Sequence, residues 1–222
     1  MLRRSPHEHD RWDDADEAME GFMPEQVSAL MQALRRSEIE RVRLAVLNAS
    51  LLEVNRRLVA LATTDEKTGL PNYRRFEERL KEELARHGRN GKPLAILLLD
   101  VDRFKHYNDA YGHPAGDEAL RIVARLIQQC IRSMDLAARY GGEEFGVILP
   151  DTDANAALCV AERIRAAVAT CLFPFCPITI SVGVSDLSIA GEDAEALIAS
   201  ADAALYAAKN TGRNRSVIGS RF

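Results

Sequence analysis

Residues 94–102 read LAILLLDVD: six consecutive apolar side chains, then two carboxylates separated by one valine. An apolar run this short, bounded by Pro93 and Asp100, predicts a buried central strand whose end meets solvent at the two acids. Upstream, Gly69-Leu70-Pro71-Asn72 is a turn with a helix start signal at Asn72, followed by a polar amphipathic helix over 73–87 and a loop over 88–93. Downstream, good helix formers over 116–132 predict a second helix. Apolar segments at 136–140 and 144–149, joined through Gly141-Gly142, predict a hairpin. A helix over 154–170, an alternating strand over 178–185, a helix over 194–209 and a short strand at 217–218 complete the pattern. The order α-β-α-β-β-α-β-α has βαββαβ at its core. This predicts an α+β domain with the split-βαβ (ferredoxin- or palm-like) arrangement, a central antiparallel sheet and helices on one face.

Residues 64–222 are assigned to this domain. Residues 25–63 contain neither proline nor glycine, and Leu44, Leu47, Leu51, Val54, Leu58 and Leu61 fall at a and d positions of successive heptads. Extended backwards, the register passes Glu40 and Ser37 before reaching Ala33 and Leu30, so the seam is broken in its middle. The segment is expected to be a helical stalk forming a coiled coil. Residues 1–24, with Asp13-Asp14-Ala15-Asp16-Glu17, are expected to be a loose acidic tail.

Composition bounds the function classes. The 222 residues are 47% hydrophobic and 28% charged, a globular balance. With a formal net charge of −4, nothing suggests a nucleic-acid groove. No apolar run approaches the roughly 20 residues of a membrane span, and acidic sequence follows Arg3-Arg4 where an export signal would be apolar. The protein is therefore expected to be cytoplasmic, with no membrane partner. Cys130, Cys159, Cys171 and Cys176 form no CxxC pair and are expected to be reduced thiols.

Two constellations carry chemistry. Strand alternation puts Asp100 and Asp102 on one face at the strand end, where carboxylates suit Mg²⁺, a cation that keeps waters and takes phosphate oxygens. Strand-end capping would explain an isolated pair of acids equally well. The second is Gly141-Gly142-Glu143-Glu144-Phe145, whose glycines permit positive φ and a close approach of backbone to phosphate. In a split-βαβ sheet the hairpin lies beside the central strand, bringing Glu143 near Asp100. Carboxylates on adjacent strand ends are the arrangement of two-metal phosphoryl and nucleotidyl transfer. No Walker or Rossmann phosphate loop is present.

These motifs, taken together and in order, resemble the GGDEF family of diguanylate cyclases. The resemblance covers about Asp65 to Asn214. It rests on Asp65 with Thr68-Gly69-Leu70-Pro71-Asn72, DVDRFKHYNDAYGHPAGD (100–117), RSMDLAARYGGEEF (132–145), SVGVS (181–185) and ADAALYAAKNTGRN (201–214). It implies an enzyme that condenses two GTP into cyclic di-GMP and releases two pyrophosphates, using Mg²⁺ or Mn²⁺. By the resemblance, Asp100, the Val101 carbonyl and Glu143 hold the metal, Glu144 supports it, and Glu143 also serves activation of the 3′-hydroxyl. Asn108 and Asp117 would read guanine, Phe104 and His113 line the nucleotide site, Gly141 and Gly142 approach it, and Lys209 and Arg213 reach the triphosphate. Aspartate at 117 suits guanine, because adenine would leave it facing an acceptor. Arg132 and Asp135, an RxxD motif, with Arg163 imply an inhibitory site for the product. Since the product is two-fold symmetric, two domains must meet, and a stalk homodimer would allow that. Lys67 stands where the family usually has a hydrophobic residue and is expected to touch no catalytic group. The alternative is a catalytically silent module that senses cyclic di-GMP or GTP.

Overall fold

The computed structural model describes residues 10–191 and 193–220, and the chain divides into two compact units, 1–58 and 59–222. The first unit is helical: α1 spans Asp10–Thr63, its last turns belonging to the second unit. It therefore starts inside the segment expected to be a loose tail, of which residues 1–9 lie outside the described residues. Along the proposed seam Leu30, Leu44, Leu47, Leu51 and Val54 are all at least half exposed. The side chains of Leu58 and Leu61 lie outside the described residues.

In the second unit α2 (Tyr73–Asn90) is followed by β1 (Leu94–Val101), α3 (Phe104–Tyr111), α4 (His113–Gln129), β2 (Leu136–Arg139) and β3 (Glu144–Pro150). Then come α5 (Ala154–Thr170), β4 (Ile180–Asp186), α6 (Leu187–Ala190), α7 (Ala194–Asn210) and β5 (Ser216–Ile218). Local signals set most boundaries. Asn72, Asp153 and Asp193 each cap a helix by accepting from the backbone N–H three residues on, and α2 stops at left-handed Gly91. The sheet order is β2-β3-β1-β4-β5. All pairs are antiparallel except β4–β5, which is parallel. The α+β class and the split-βαβ order are as expected.

The expectation of helices on one face is corrected. Ala95, Leu97, Leu99 and Val101 of β1 pack into one core with Leu120, Val123 and Ile127 of α4 and Ala161 and Ile164 of α5. Leu94, Ile96 and Leu98 pack into a second core with Phe76 and Leu80 of α2 and Leu197, Ala201 and Leu205 of α7. The reason lies in β1 itself: a strand apolar at every position from Leu94 to Leu99 must be covered on both sides. Each buried leucine or isoleucine contributes roughly 1.5–3 kcal/mol, enough to hold β1 at the sheet centre and present its polar end at a fixed place.

Candidate active site

Asp100 is the last polar position of β1, opposite Glu144 of β3 and Ser181 of β4. The residue is 6% exposed, and its carboxylate accepts from Lys209 Nζ at 2.7 Å. Glu143 stands across the sheet, its carbonyl accepting from Val101 N at 3.2 Å. Burial pushes the Asp100 carboxyl up; Lys209 and Arg213 oppose this, and Asp102 adds to it. Burial likewise raises Glu143, reinforced by repulsion from Asp100 and Glu144 and offset by Lys209. Two carboxylates thus repel each other in a partly desolvated place with Lys209 paired to one of them, an environment that favours added positive charge.

Among the described residues no three His, Cys, Asp or Glu side chains converge as a metal cage. A hard cation held by Asp100 and Glu143 would take its other oxygens from backbone, water and phosphate, which suits Mg²⁺ rather than a metal that demands a full protein shell. Asp102 is otherwise engaged. It accepts from Thr179 Oγ1 and Ser181 Oγ, each at 2.7 Å, and from Asn214 N at 3.0 Å. It ties the turn after α7 to the sheet and so fixes Arg213, which is exposed and left-handed at φ 62°.

The base side is built by α3 and α4. Phe104 is buried at 6% exposure. Asn108 Oδ1 is buried without a hydrogen-bond partner, hard against Gly116, where a Cβ would fall 1.8 Å from it. Asp117 follows one residue later and is paired with Lys67, Nζ to Oδ1 2.7 Å. Lys67 thus reaches a residue expected to read the base, though none of the catalytic groups, because the turn after α1 folds back onto the start of α4. His113 is exposed at the first position of α4. An open cleft of about 490 Å³ is lined by Val101, Phe104 and Arg213, but not by Asn108 or Asp117.

The glycine turn differs from expectation in its backbone. Among the described residues, the glycines with positive φ are 69, 91, 112, 191 and 212, and not 141 or 142. What these two contribute is space: a Cβ on Gly141 would lie 2.5 Å from Glu144 Oε2, while Gly142 opens to nothing within 4 Å. A residue not singled out from the sequence holds this turn. Arg139 donates from Nε to the Gly141 carbonyl (3.1 Å), from Nη2 to the Gly142 carbonyl (2.5 Å), and from Nη1 to both Asp65 oxygens (3.0 and 3.1 Å). Burial alone would raise the Asp65 carboxyl, but hydrogen bonds from Thr68 and Arg139 outweigh it and hold it below the ordinary range. One arginine in a strand carries no signal in sequence; only its two distant partners give it meaning.

At the far end of β2, Asp135 Oδ2 accepts from Arg132 N at 2.8 Å. Burial raises its carboxyl against the opposing charges of Arg132 and Arg163, and its Oδ1 is buried with no partner. Arg163 donates to the Cys130 carbonyl. The three residues expected to form a regulatory site are therefore neighbours.

A mainly antiparallel sheet with carboxylates gathered at the end of its central strand, and Lys209 paired to one of them, defines a palm-like α+β domain. The family model "Diguanylate cyclase, GGDEF domain" matches residues 62–215, and the chain belongs to that family. It is 45% identical over 157 residues to diguanylate cyclase DgcP of Pseudomonas aeruginosa, covering 69% of this chain and 23% of that protein. To diguanylate cyclase A of Treponema denticola it is 44% identical over 168 residues, 72% of this chain and 45% of that protein. The chain thus spans less than half the length of these two curated relatives. The coiled coil and GGDEF domain of DgcB from Caulobacter crescentus, solved with c-di-GMP, matches at TM-score 0.72 and 32% identity, over 81% of this chain and 98% of that one. The active GGEEF domain of a Vibrio cholerae diguanylate cyclase matches at TM-score 0.66 and 36% identity, over 69% and 99%. Among the described residues no helix is long and apolar enough to cross a membrane.

Proposed function

We propose that this chain is a diguanylate cyclase that joins two GTP into cyclic di-GMP with release of two pyrophosphates. The observation that carries the reading is the place of Glu143 beside the end of β1, its carbonyl accepting from Val101 N at 3.2 Å, with Lys209 Nζ 2.7 Å from Asp100. In each half-reaction the 3′-oxygen of one GTP attacks the α-phosphorus of the other. The bond from that phosphorus to the β-phosphate bridging oxygen breaks, and the hydroxyl proton departs. A divalent cation at Asp100, the Val101 carbonyl and Glu143 would neutralise phosphate charge and acidify the hydroxyl. Glu143, raised by burial and by Asp100, is suited to take up that proton. Glu144 lies beside it and supports the charge. Lys209 and Arg213 approach from the C-terminal end of α7 and balance the charge of the departing pyrophosphate. Asn108 and Asp117 read the base over Phe104, beside His113, and the open face at Gly142 leaves room for phosphate.

One domain holds one GTP, so the two-fold product requires two domains. The exposed leucine seam of α1 supports a parallel homodimer that would bring them face to face. Arg132, Asp135 and Arg163 offer a product site whose buried, unpartnered Asp135 oxygen suits a base N–H donor and whose arginines suit phosphate or guanine acceptors. Arg132→Ala is expected to abolish inhibition by added cyclic di-GMP, and unchanged inhibition would remove this assignment.

The test of the whole is mass spectrometry of the products formed from GTP with Mg²⁺, beside Glu143→Ala. Cyclic di-GMP from the wild type alone supports the reading. Its absence, from folded dimer freed of bound nucleotide, would leave a silent sensor of cyclic di-GMP or GTP.

A further inference from the structure

Lys67 lies in a turn that the protein makes rigid. Asp65 accepts from the Thr68 backbone and hydroxyl at 2.9 and 2.7 Å, Asp65 N donates to the Leu70 carbonyl at 2.8 Å, and Leu70 is fully buried. Arg139 then fastens Asp65 to the glycine turn of the hairpin. The backbone that carries Lys67 is therefore held in place, and its ammonium comes to rest on Asp117, 50 residues away in sequence. Asn108, whose buried oxygen has no hydrogen-bond partner, packs against Gly116, the residue before Asp117.

The ion pair does little for the fold. Lys67 is 52% and Asp117 27% exposed, and a pair so open to water contributes at most about 1 kcal/mol. What the pair does supply is a cation and an anion side by side at the place proposed for the base. Guanine presents an acceptor, O6, next to donors at N1 and the 2-amino group. Adenine presents a donor at N6 next to an acceptor at N1. An anion alone reads half of that difference; an adjacent cation reads the other half, and adenine then meets two mismatches instead of one.

We propose that Lys67 is a specificity residue of the base site, its ammonium donating to guanine O6 while Asp117 accepts from N1–H and the 2-amino group. The proposal rests on the reading that the base held at Asp117 is guanine. On binding, the Lys67–Asp117 contact is exchanged for two contacts to the base, at small cost because the pair is exposed. Lys209 and Arg213 are already assigned to the phosphates, so the charge of Lys67 is assigned to the base.

The experiment is calorimetric binding of the α,β-methylene analogues of GTP, ITP and ATP, which cannot release pyrophosphate, to the full chain with Mg²⁺. Wild type is compared with Lys67→Met, which keeps the stem and removes the charge, and with Lys67→Arg. ITP keeps O6 and N1–H but lacks the 2-amino group. Lys67→Met should bind the GTP and ITP analogues about tenfold more weakly and the ATP analogue no more weakly, with the preference restored by Lys67→Arg. Unchanged or tighter GTP binding would overturn the proposal, because Lys67 would then merely cover Asp117. An equal loss for all three analogues would also overturn it, since that marks a general attraction for phosphate. A wild type without preference for the GTP analogue would sink the guanine reading and this proposal with it; a wild-type preference that survives in Lys67→Met would sink only the role of Lys67.

Discussion

Gly116→Ala separates recognition of the base from stability of the fold more cleanly than any loss of charge would. Gly116 is buried in the first turns of α4, and a Cβ there would lie 1.8 Å from Asn108 Oδ1, 2.9 Å from its Cγ and 3.0 Å from Phe104 Cζ. No real Cβ approaches an atom this closely, so the carboxamide must retreat by more than about an ångström. It can do so, because it ends a flexible side chain and its oxygen gives up no hydrogen bond within the protein. Alanine for glycine inside a helix contributes roughly 0.5–1 kcal/mol of propensity, which offsets the strain against Phe104. The fold should therefore change by less than about 1 kcal/mol. Base recognition should suffer far more: a misplaced amide loses its bond to the base and leaves a polar group unpaired, a loss of about ten- to a hundredfold in GTP affinity. Thermal melting of the apo protein and calorimetric binding of α,β-methylene GTP measure the two quantities on one sample. Unchanged GTP affinity in a folded Gly116→Ala protein would refute the placement of the base at Asn108. By contrast, a Cβ at Gly183 would meet backbone, 2.0 Å from the Ala201 carbonyl and 2.4 Å from Leu205 N, and α7 would have to leave the sheet.

Two further outcomes follow from the charges at the site. Asp100 and Glu143 are raised in the fold above their ordinary values, so their protonated forms favour folding below the unfolded carboxylate range, and that contribution is lost as pH rises through the folded values. Asp65 and Glu162 are lowered and act oppositely, so the contribution of Glu143 is read by difference. Without metal, Glu143→Gln should melt higher than wild type at about pH 7 and converge with it near pH 4. Saturating Mg²⁺ should raise the wild-type melting temperature and leave the variant unmoved; a wild type equally indifferent to Mg²⁺ would count against metal binding here. Arg139→Ala strips donors from the Gly141 and Gly142 carbonyls and leaves Asp65 at 22% side-chain exposure without its cation. A loss of about 2 kcal/mol, or about 5 °C in melting temperature, is expected; a drop under one degree would mean the clamp is not formed in solution.

Much of this protein is legible in its order of residues. Unbroken apolar character from Leu94 to Leu99 can only be a fully covered strand. The acids that end β1 and the Gly-Gly-Glu-Glu turn announce a polar strand-end site, and Asp153 and Asp193 mark helix starts through their own side chains. Each of these is a local matter: a periodicity, a cap, a run. α3 was hidden because it follows a left-handed arginine with no side-chain cap and is only eight residues long, so its packing through Phe104 and Tyr107 holds it. The two-sided sheet was implicit in β1, but which helix covers which face depends on chain crossings that no local pattern encodes. Lys67 against Asp117 and Arg139 against Asp65 and the hairpin turn lie beyond any sequence periodicity, at separations of 50 and 74 residues. Local preference acts over one or two turns of chain, whereas these contacts exist only after the sheet has assembled. The residue types of the site were therefore set by sequence, and their partners by tertiary structure.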